Sequence, residues 1–105
     1  MINHFGDKLV KKIRLTKSFL CLGVDPHLDL IPNIFDTNRD NVTKVKNFCF
    51  SLIDVAFKKV PAIKPQIAFF EQLGPEGMKL LSDLCKYAHS KDFLVIMDAK
   101  RGDIG

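Results

Sequence analysis

The sequence predicts an α/β fold in which a parallel sheet is covered by helices. Three strand-like segments alternate with three helical segments, in the order helix, strand, helix, strand, helix, strand. The strand-like segments are apolar along most of their length, which is typical of strands buried on both faces of a parallel sheet. Both an open doubly wound sheet and a closed (β/α)8 barrel are built from such units.

The first two elements are a helix and a strand. Phe5, Leu9 and Ile13 recur every four residues and predict a short amphipathic helix. The run SFLCLGVD (18–25) is short and continuously apolar, and it predicts the first strand. The segment 26–40 is rich in Pro, Asn and Asp, and it predicts a loop.

The second helix is predicted to begin near Asn41. Lys58 and Lys59 suit a helix C-terminus, and Pro61 marks the end of the element. Apolar residues at spacings of three and four predict its buried stripe. They are Val42, Val45, Cys49, Leu52 and Ala56.

The remaining elements are a strand, a helix and a strand. The run AIKPQIAFF (62–70) predicts the second strand, broken early by Lys64 and Pro65. The third helix is predicted from Pro75, which fits the first helical position. The run FLVIMD (93–98) predicts the third strand. The predicted buried stripe of the third helix is Met78, Leu81, Cys85 and Ala88.

Composition excludes several classes of protein. With 105 residues, of which 47% are hydrophobic, the chain is predicted to fold as one small domain with a real core. The net charge of +4 is spread along the chain, and aromatic residues do not alternate with basic ones, so we expect no nucleic-acid partner. No apolar run reaches the roughly 18 residues of a membrane span. The three separated cysteines predict buried reduced thiols, no structural zinc and a cytoplasmic location.

Charged residues stand at the end of every predicted strand. Asp25 ends the first strand, Lys64 lies at the end of the second, and Asp98 ends the third, with Lys100 and Asp103 close behind. The carboxyl ends of parallel strands meet at one edge, where α/β proteins place their reactive residues. The alternative is that these residues form ordinary solvated loops, with Asp25 and the following proline opening a turn.

Asp98 and Lys100 have complementary chemistry. Residues two apart on a strand point to the same face, so both side chains are predicted to enter one pocket. A carboxylate and an ammonium group each favour the ionised form of the other. Such a pair can repel a substrate carboxylate, stabilise a developing carbanion and deliver a proton to it.

Three segments together carry a resemblance to a known family. DAKRGDIG (98–105) resembles the D-x-K-x-x-D signature of orotidine 5′-phosphate decarboxylases, in the form common in bacteria and some parasites. LGVDPH (22–27) and AIKPQIAFFEQLGPEG (62–77) resemble the same branch, in the same order. The resemblance implies a (β/α)8 TIM barrel. Residues 1–105 are then the N-terminal portion of this single domain, about three βα units with no internal boundary.

The resemblance also implies an activity and roles for individual residues. The family converts orotidine 5′-phosphate to uridine 5′-phosphate and CO2 in pyrimidine biosynthesis, as a homodimer without metal or organic cofactor and without a membrane or nucleic-acid partner. Lys100 resembles the lysine that protonates C6, and Asp98 the aspartate placed against the departing carboxylate. Asp103 resembles the aspartate that enters the partner's site. Lys64 and Asp25 resemble residues at the ribose hydroxyls, with Lys64 also in the charged network.

Two alternatives remain beside this interpretation. Magnesium-dependent sugar-phosphate decarboxylases and aldolases of the same superfamily share D-x-K-x-x-D, but they carry a glutamate where this chain has Lys64, and a cation there disfavours Mg²⁺. A non-catalytic truncated relative that binds a phosphorylated ligand or a partner chain is the second. The family's phosphate-binding loops lie in its C-terminal half. We therefore expect these residues to be a piece of a longer polypeptide and to be inactive alone.

Overall fold

The structure, a computed structural model, describes residues 4–35 and 40–99. Within these residues, helices and strands follow the predicted order, except that one extra short helix lies after the second strand. No helix in this part of the chain is long and apolar enough to cross a membrane. Two short 3-10 turns, Leu28–Leu30 and Asn33–Phe35, lie in the predicted loop. The elements are α1 (Phe5–Thr16), β1 (Cys21–Val24), α2 (Asn41–Ala56), β2 (Ala62–Pro65), α3 (Ile67–Glu71), α4 (Pro75–Ser90) and β3 (Leu94–Val95).

The strands form one parallel sheet in the order β1-β2-β3. The predicted α/β fold with parallel strands is therefore confirmed. The third strand is shorter than the FLVIMD run, but its backbone stays hydrogen-bonded to β2. Ile96 N–H donates to Ile63 O at 2.9 Å, and Asp98 N–H donates to Pro65 O at 3.1 Å. These bonds fix the chain beyond β3 against the second strand.

The sheet has one covered face and one open face. Val24, Ile63 and Pro65 are completely or almost completely buried, and Val24 and Ile63 belong to the core beneath α2 and α4. Alternation along the strands puts Cys21 and Lys64 on the other face, where both are exposed. We call these the covered face and the open face.

Helix α2 packs one stripe of its surface into the core. Its N-terminus is capped by Asp40, whose Oδ1 accepts a hydrogen bond from Thr43 N–H at 2.8 Å. Three of the five predicted stripe residues are confirmed as buried, but Val42 and Leu52 are only half-buried, and Ile53 lies in place of Leu52 with no exposed surface. Both positions continue a spacing of three or four from Cys49, so the sequence pattern alone does not separate them. The buried residues are Val45, Cys49, Ile53 and Ala56.

Helix α4 buries a stripe that matches the predicted one only in part, since Leu81 and Ala88 are buried as predicted but the other two residues are not. The prediction of a buried Met78 is wrong, because 40% of this side chain is exposed, and Cys85 is only half-buried. The physical reason lies at Gly77, where an added Cβ would come within 2.1 Å of the carbonyl oxygen of Phe70. This close approach turns the glycine face of α4 toward α3. The buried residues are Gly77, Leu80, Leu81, Leu84 and Ala88.

Three further elements differ in part from expectation. Strand β2 ends at Pro65, close to the predicted end at Lys64, but the rest of the AIKPQIAFF run enters helix α3, which begins at Ile67, with Phe70 buried. Cys21 is exposed, because it lies on the open face rather than in the core. Helix α1 forms as predicted but buries none of its residues among the part of the chain that the structure describes.

Candidate functional site

The carboxyl ends of the three strands bring predicted site residues into one row. Gln66 lies directly after β2 and forms a parallel bridge with Asp98. Gln66 N–H also donates to Val24 O at 3.1 Å, which ties it to the end of β1. One position beyond the Val24–Pro65 pair, the same register sets Asp25 beside Gln66. The row is therefore Asp25, Gln66 and Asp98, with the amide between the two carboxylates.

Asp98 is held by its backbone and by its side chain. Its N–H donates to Pro65 O at 3.1 Å, and its carbonyl oxygen accepts from Ile67 N–H at 3.0 Å. Its carboxylate Oδ2 accepts from Gln66 Nε2 at 3.4 Å. The residue thus sits at a defined position where β2 passes into α3, and its carboxyl group is half-buried there.

Lys64 lies on the same face as this row, two residues before Gln66. Its partner in the register is Gly23, where an added Cβ would meet nothing within 4 Å. The lysine therefore borders open space rather than a packed neighbour. Partial desolvation raises the pKa of the otherwise exposed Cys21 thiol, and the charge of Lys64 partly opposes this rise. Cys21 lies two residues before Gly23, the register partner of Lys64, so the thiol and the ammonium group share the open face.

An aromatic contact stands beside the row. The rings of His27 and Phe69 meet edge to face, with centroids 4.4 Å apart and planes at 62°. His27 N–H donates to Asp25 O at 2.8 Å, so the turn after β1 brings the imidazole over the start of α3. His27 lies in the segment 26–40 that the sequence predicts as a loop, and Phe69 lies in the AIKPQIAFF run. The structure joins them at the edge of the candidate site.

The structure brings together three of the five predicted site residues. Asp25, Lys64 and Asp98 share the open face and its carboxyl edge, whereas Lys100 and Asp103 lie outside the described residues. Within residues 4–35 and 40–99, no group of three or more His, Cys, Asp or Glu side chains is arranged to hold a metal ion. An ammonium group, two carboxylates and an amide at one edge suit a ligand rich in hydroxyls and anionic groups.

Gln66 is the residue of this edge that sequence reasoning missed. A neutral amide carries no charge signal, and the run around it was interpreted as a strand. The signal that identifies it is its position. It follows Lys64 by two residues, so it shares the face of Lys64 and comes opposite Asp98 once the parallel register is known.

Comparisons with known proteins point to one family. The family model described as orotidine 5′-phosphate decarboxylase / HUMPS family matches residues 18–105. An orotidine 5′-phosphate decarboxylase from Rhodopirellula baltica is 39% identical over 96% of this chain, and one from Myxococcus xanthus is 42% identical over 85%. The chain spans 35% and 30% of the length of these two relatives.

Solved structures with related names share the fold of this chain. A Streptomyces avermitilis structure assigned to orotidine 5′-phosphate decarboxylase superposes with a TM-score of 0.81 at 35% identity, covering 99% of this chain and 35% of that one. The Leishmania donovani OMP decarboxylase superposes with a TM-score of 0.72 at 31% identity, covering 98% of this chain and 36% of that one. The chain belongs to the orotidine 5′-phosphate decarboxylase / HUMPS family.

Proposed function

We propose that the protein containing these residues converts orotidine 5′-phosphate to uridine 5′-phosphate and CO2, the last step of pyrimidine biosynthesis. In this proposal residues 1–105 form the N-terminal portion of one (β/α)8-barrel domain. The observation that carries the proposal is the convergence of Asp25, Lys64 and Asp98 on the open face, at the carboxyl edge of a parallel sheet. The family match and the names of the relatives support the same activity.

The reaction needs a carbanion at C6 of the pyrimidine to be formed and then protonated. The bond between C6 and the carboxylate breaks, CO2 leaves, and the electron pair stays on C6. Asp98 stands against the departing carboxylate, and repulsion between the two anions is relieved as CO2 forms. The Lys100 ammonium stabilises the developing charge and gives its proton to C6, which completes uridine 5′-phosphate.

The other predicted residues bind substrate and complete the charged network. Lys64 borders the open space at Gly23, and Asp25 follows Gly23 by two residues on the same face; in this proposal both contact the ribose hydroxyls. Lys64 also belongs, with Asp98 and Lys100, to an alternating set of charges. Asp103 enters the site of a second subunit, so the working form is a homodimer. We place this enzyme in the cytoplasm, without metal or organic cofactor.

Turnover of orotidine 5′-phosphate by the full-length protein tests the proposal. We expect its absorbance to fall on conversion to uridine 5′-phosphate, with and without EDTA. Lys100→Ala should abolish this conversion, because no ammonium group then protonates C6. Lys86→Ala, a change at an exposed position on α4, is the matched control and should leave the rate unchanged.

Three results would contradict the proposal. Full activity in Lys100→Ala would remove the proton donor from the mechanism. Loss of activity with EDTA and recovery with Mg²⁺ would favour a magnesium-dependent sugar-phosphate enzyme of the same family. A full-length protein that binds the nucleotide without converting it would favour the non-catalytic alternative.

A further inference from the structure

We infer that Gln66 is a positioning residue that holds the Asp98 carboxylate in place and separates it from Asp25. This inference rests on the proposed function, because it assigns Gln66 a part in the reaction through Asp98. Its observations are nevertheless independent of the family resemblance. They are the parallel bridge between Gln66 and Asp98 and the contact between their side chains.

The backbone makes Gln66 the junction of all three strand ends. Its φ of −88° and ψ of 111° keep it extended, so its side chain stays on the face that Lys64 occupies. Its N–H is bonded to Val24 O, and the residues on either side of it, Pro65 and Ile67, are both bonded to the backbone of Asp98. The backbone of Gln66 is therefore fixed, and this keeps its side-chain amide in the row of Asp25, Gln66 and Asp98.

The chemistry of the amide suits this position. An amide N–H donates to a carboxylate without neutralising it, so Asp98 keeps its charge while its orientation is fixed. Asp25 faces Gln66 from the end of β1, Lys64 precedes it on β2, and Lys100 and Asp103 follow Asp98 along the chain. A carboxylate in place of the amide would put three like charges in one row, and a proton would then be bound more readily there.

Gln66→Glu in the full-length protein tests this inference, because the change keeps the size of the side chain and replaces a donor with an acceptor. We expect kcat to fall by about tenfold to a hundredfold, as for the misplacement of a reacting group. The acid limb of the pH–kcat profile should move to higher pH, because a proton bound in the row inactivates the enzyme. KM should change by less than about twofold, since Gln66 acts through Asp98 and not on the substrate.

Two further variants make the test specific. Gln66→Ala removes the donor without adding charge, so kcat should fall while the acid limb stays where it is in the wild type. Gln72→Glu makes the same chemical change at an exposed position just after α3, and it should leave kcat and the pH profile unaltered. A wild-type profile in Gln66→Glu would overturn the inference. So would a rise in KM at constant kcat, which would mean that Gln66 binds the substrate.

A measurement without substrate separates this inference from the proposed function. In NMR spectra of the full-length protein, the side-chain amide signals of Gln66 should shift as the Asp98 carboxylate is titrated; Asp98→Asn should remove that part of the shift, whereas Asp25→Asn should leave it in place. If the wild type does not convert orotidine 5′-phosphate, the proposed function fails while this titration still reports on the Gln66–Asp98 contact. Amide signals that are indifferent to Asp98→Asn would overturn the positioning role.

Discussion

The two faces of the sheet differ in what their side chains contact. On the covered face, Val24 and Ile63 have no exposed surface, and they pack beneath α2 and α4. On the open face, Cys21, Gly23 and Lys64 are exposed, and the carboxyl edge carries charged groups instead of a core. Alternate residues of the same strands thus serve two purposes. One set stabilises the fold, and the other is available to a ligand.

This division implies that activity and stability can be altered separately. Burial of apolar side chains is the main source of folding free energy, and it is concentrated on the covered face. The charges at the carboxyl edge contribute little to stability when solvent reaches them. Substitutions on the open face should therefore leave the free energy of unfolding nearly unchanged, and substitutions on the covered face should leave kcat nearly unchanged. The following predictions test that separation in the full-length protein.

The largest effect on the open-face side is expected from Asp98→Asn. The amide keeps the shape of the side chain but no longer repels the carboxylate of the proposed substrate, so under the proposed function kcat should fall by about 10²- to 10³-fold. The free energy of unfolding, measured by urea denaturation, should change by less than about 1 kcal/mol. A large loss of stability with normal kcat would assign Asp98 to the fold instead.

The opposite pattern is expected beneath the covered face. Ile53→Ala removes a side chain of α2 with no exposed surface, and it should lower the free energy of unfolding by about 2–5 kcal/mol. The kcat of the folded fraction should stay within about twofold of wild type. Val55 on the same helix is 65% exposed, so Val55→Ala is the control and should change stability by about 0.5 kcal/mol at most. Equal destabilisation by both variants would contradict the assignment of the core.

A smaller effect should appear at alkaline pH. Burial raises the pKa of the Cys49 thiol from 9.0 to about 12. The unfolded chain therefore loses this proton at a lower pH than the folded protein. The free energy of unfolding consequently falls as pH rises from 9.0 toward about 12. The slope owed to Cys49 approaches roughly 1.4 kcal/mol per pH unit. In Cys49→Ala, urea denaturation across this range should show that part of the slope removed, whereas an unchanged slope would mean that the thiol is not buried.

The smallest effect concerns the thiol on the open face. Partial desolvation raises the pKa of the Cys21 thiol, while the positive charge of Lys64 lowers it. In Lys64→Met that opposing charge is lost, so a smaller fraction of the thiol is ionised and its alkylation by iodoacetamide should slow by about twofold to fivefold. Lys59→Met, at an exposed position before β2, serves as the control. A rate that is unaffected by Lys64→Met would place the ammonium group away from the start of β1.

The order of the elements could be predicted from the sequence because periodicity is a strong signal over long segments. Helix α2 and strand β1 each show one dominant pattern, and both formed where expected. The secondary structure of the short run around Phe70 was harder to predict, because an apolar stretch of that length fits a strand or a helix equally well. Only its position after the extended Gln66 resolves it as α3.

The orientation of α4 could not be predicted for a different reason. Its sequence contains two overlapping apolar stripes, one through Met78 and Cys85 and another through Leu80 and Leu84. The choice between them depends on the contact of Gly77 with Phe70, a residue on another element. Tertiary contacts of this kind are not recorded in local periodicity.

The location of charged site residues could be predicted from the sequence, because it depends on topology and charge. Parallel strands bring their carboxyl ends together, so Asp25, Lys64 and Asp98 could be assigned to one edge before the structure was known. Gln66 could not be assigned in this way, since its role depends on the register between β2 and β3. The roles of all five residues stay predictions, and Lys100 and Asp103 also lie outside the described part of the chain.

A crystal structure of the full-length protein with bound uridine 5′-phosphate tests the central claim most directly. We expect the pyrimidine to lie on the open face at the carboxyl edge, with C6 toward Asp98 and Lys100. The ribose hydroxyls should then face Asp25 and Lys64. A nucleotide bound at the amino edge of the sheet, or one whose C6 points away from Asp98 and Lys100, would contradict it.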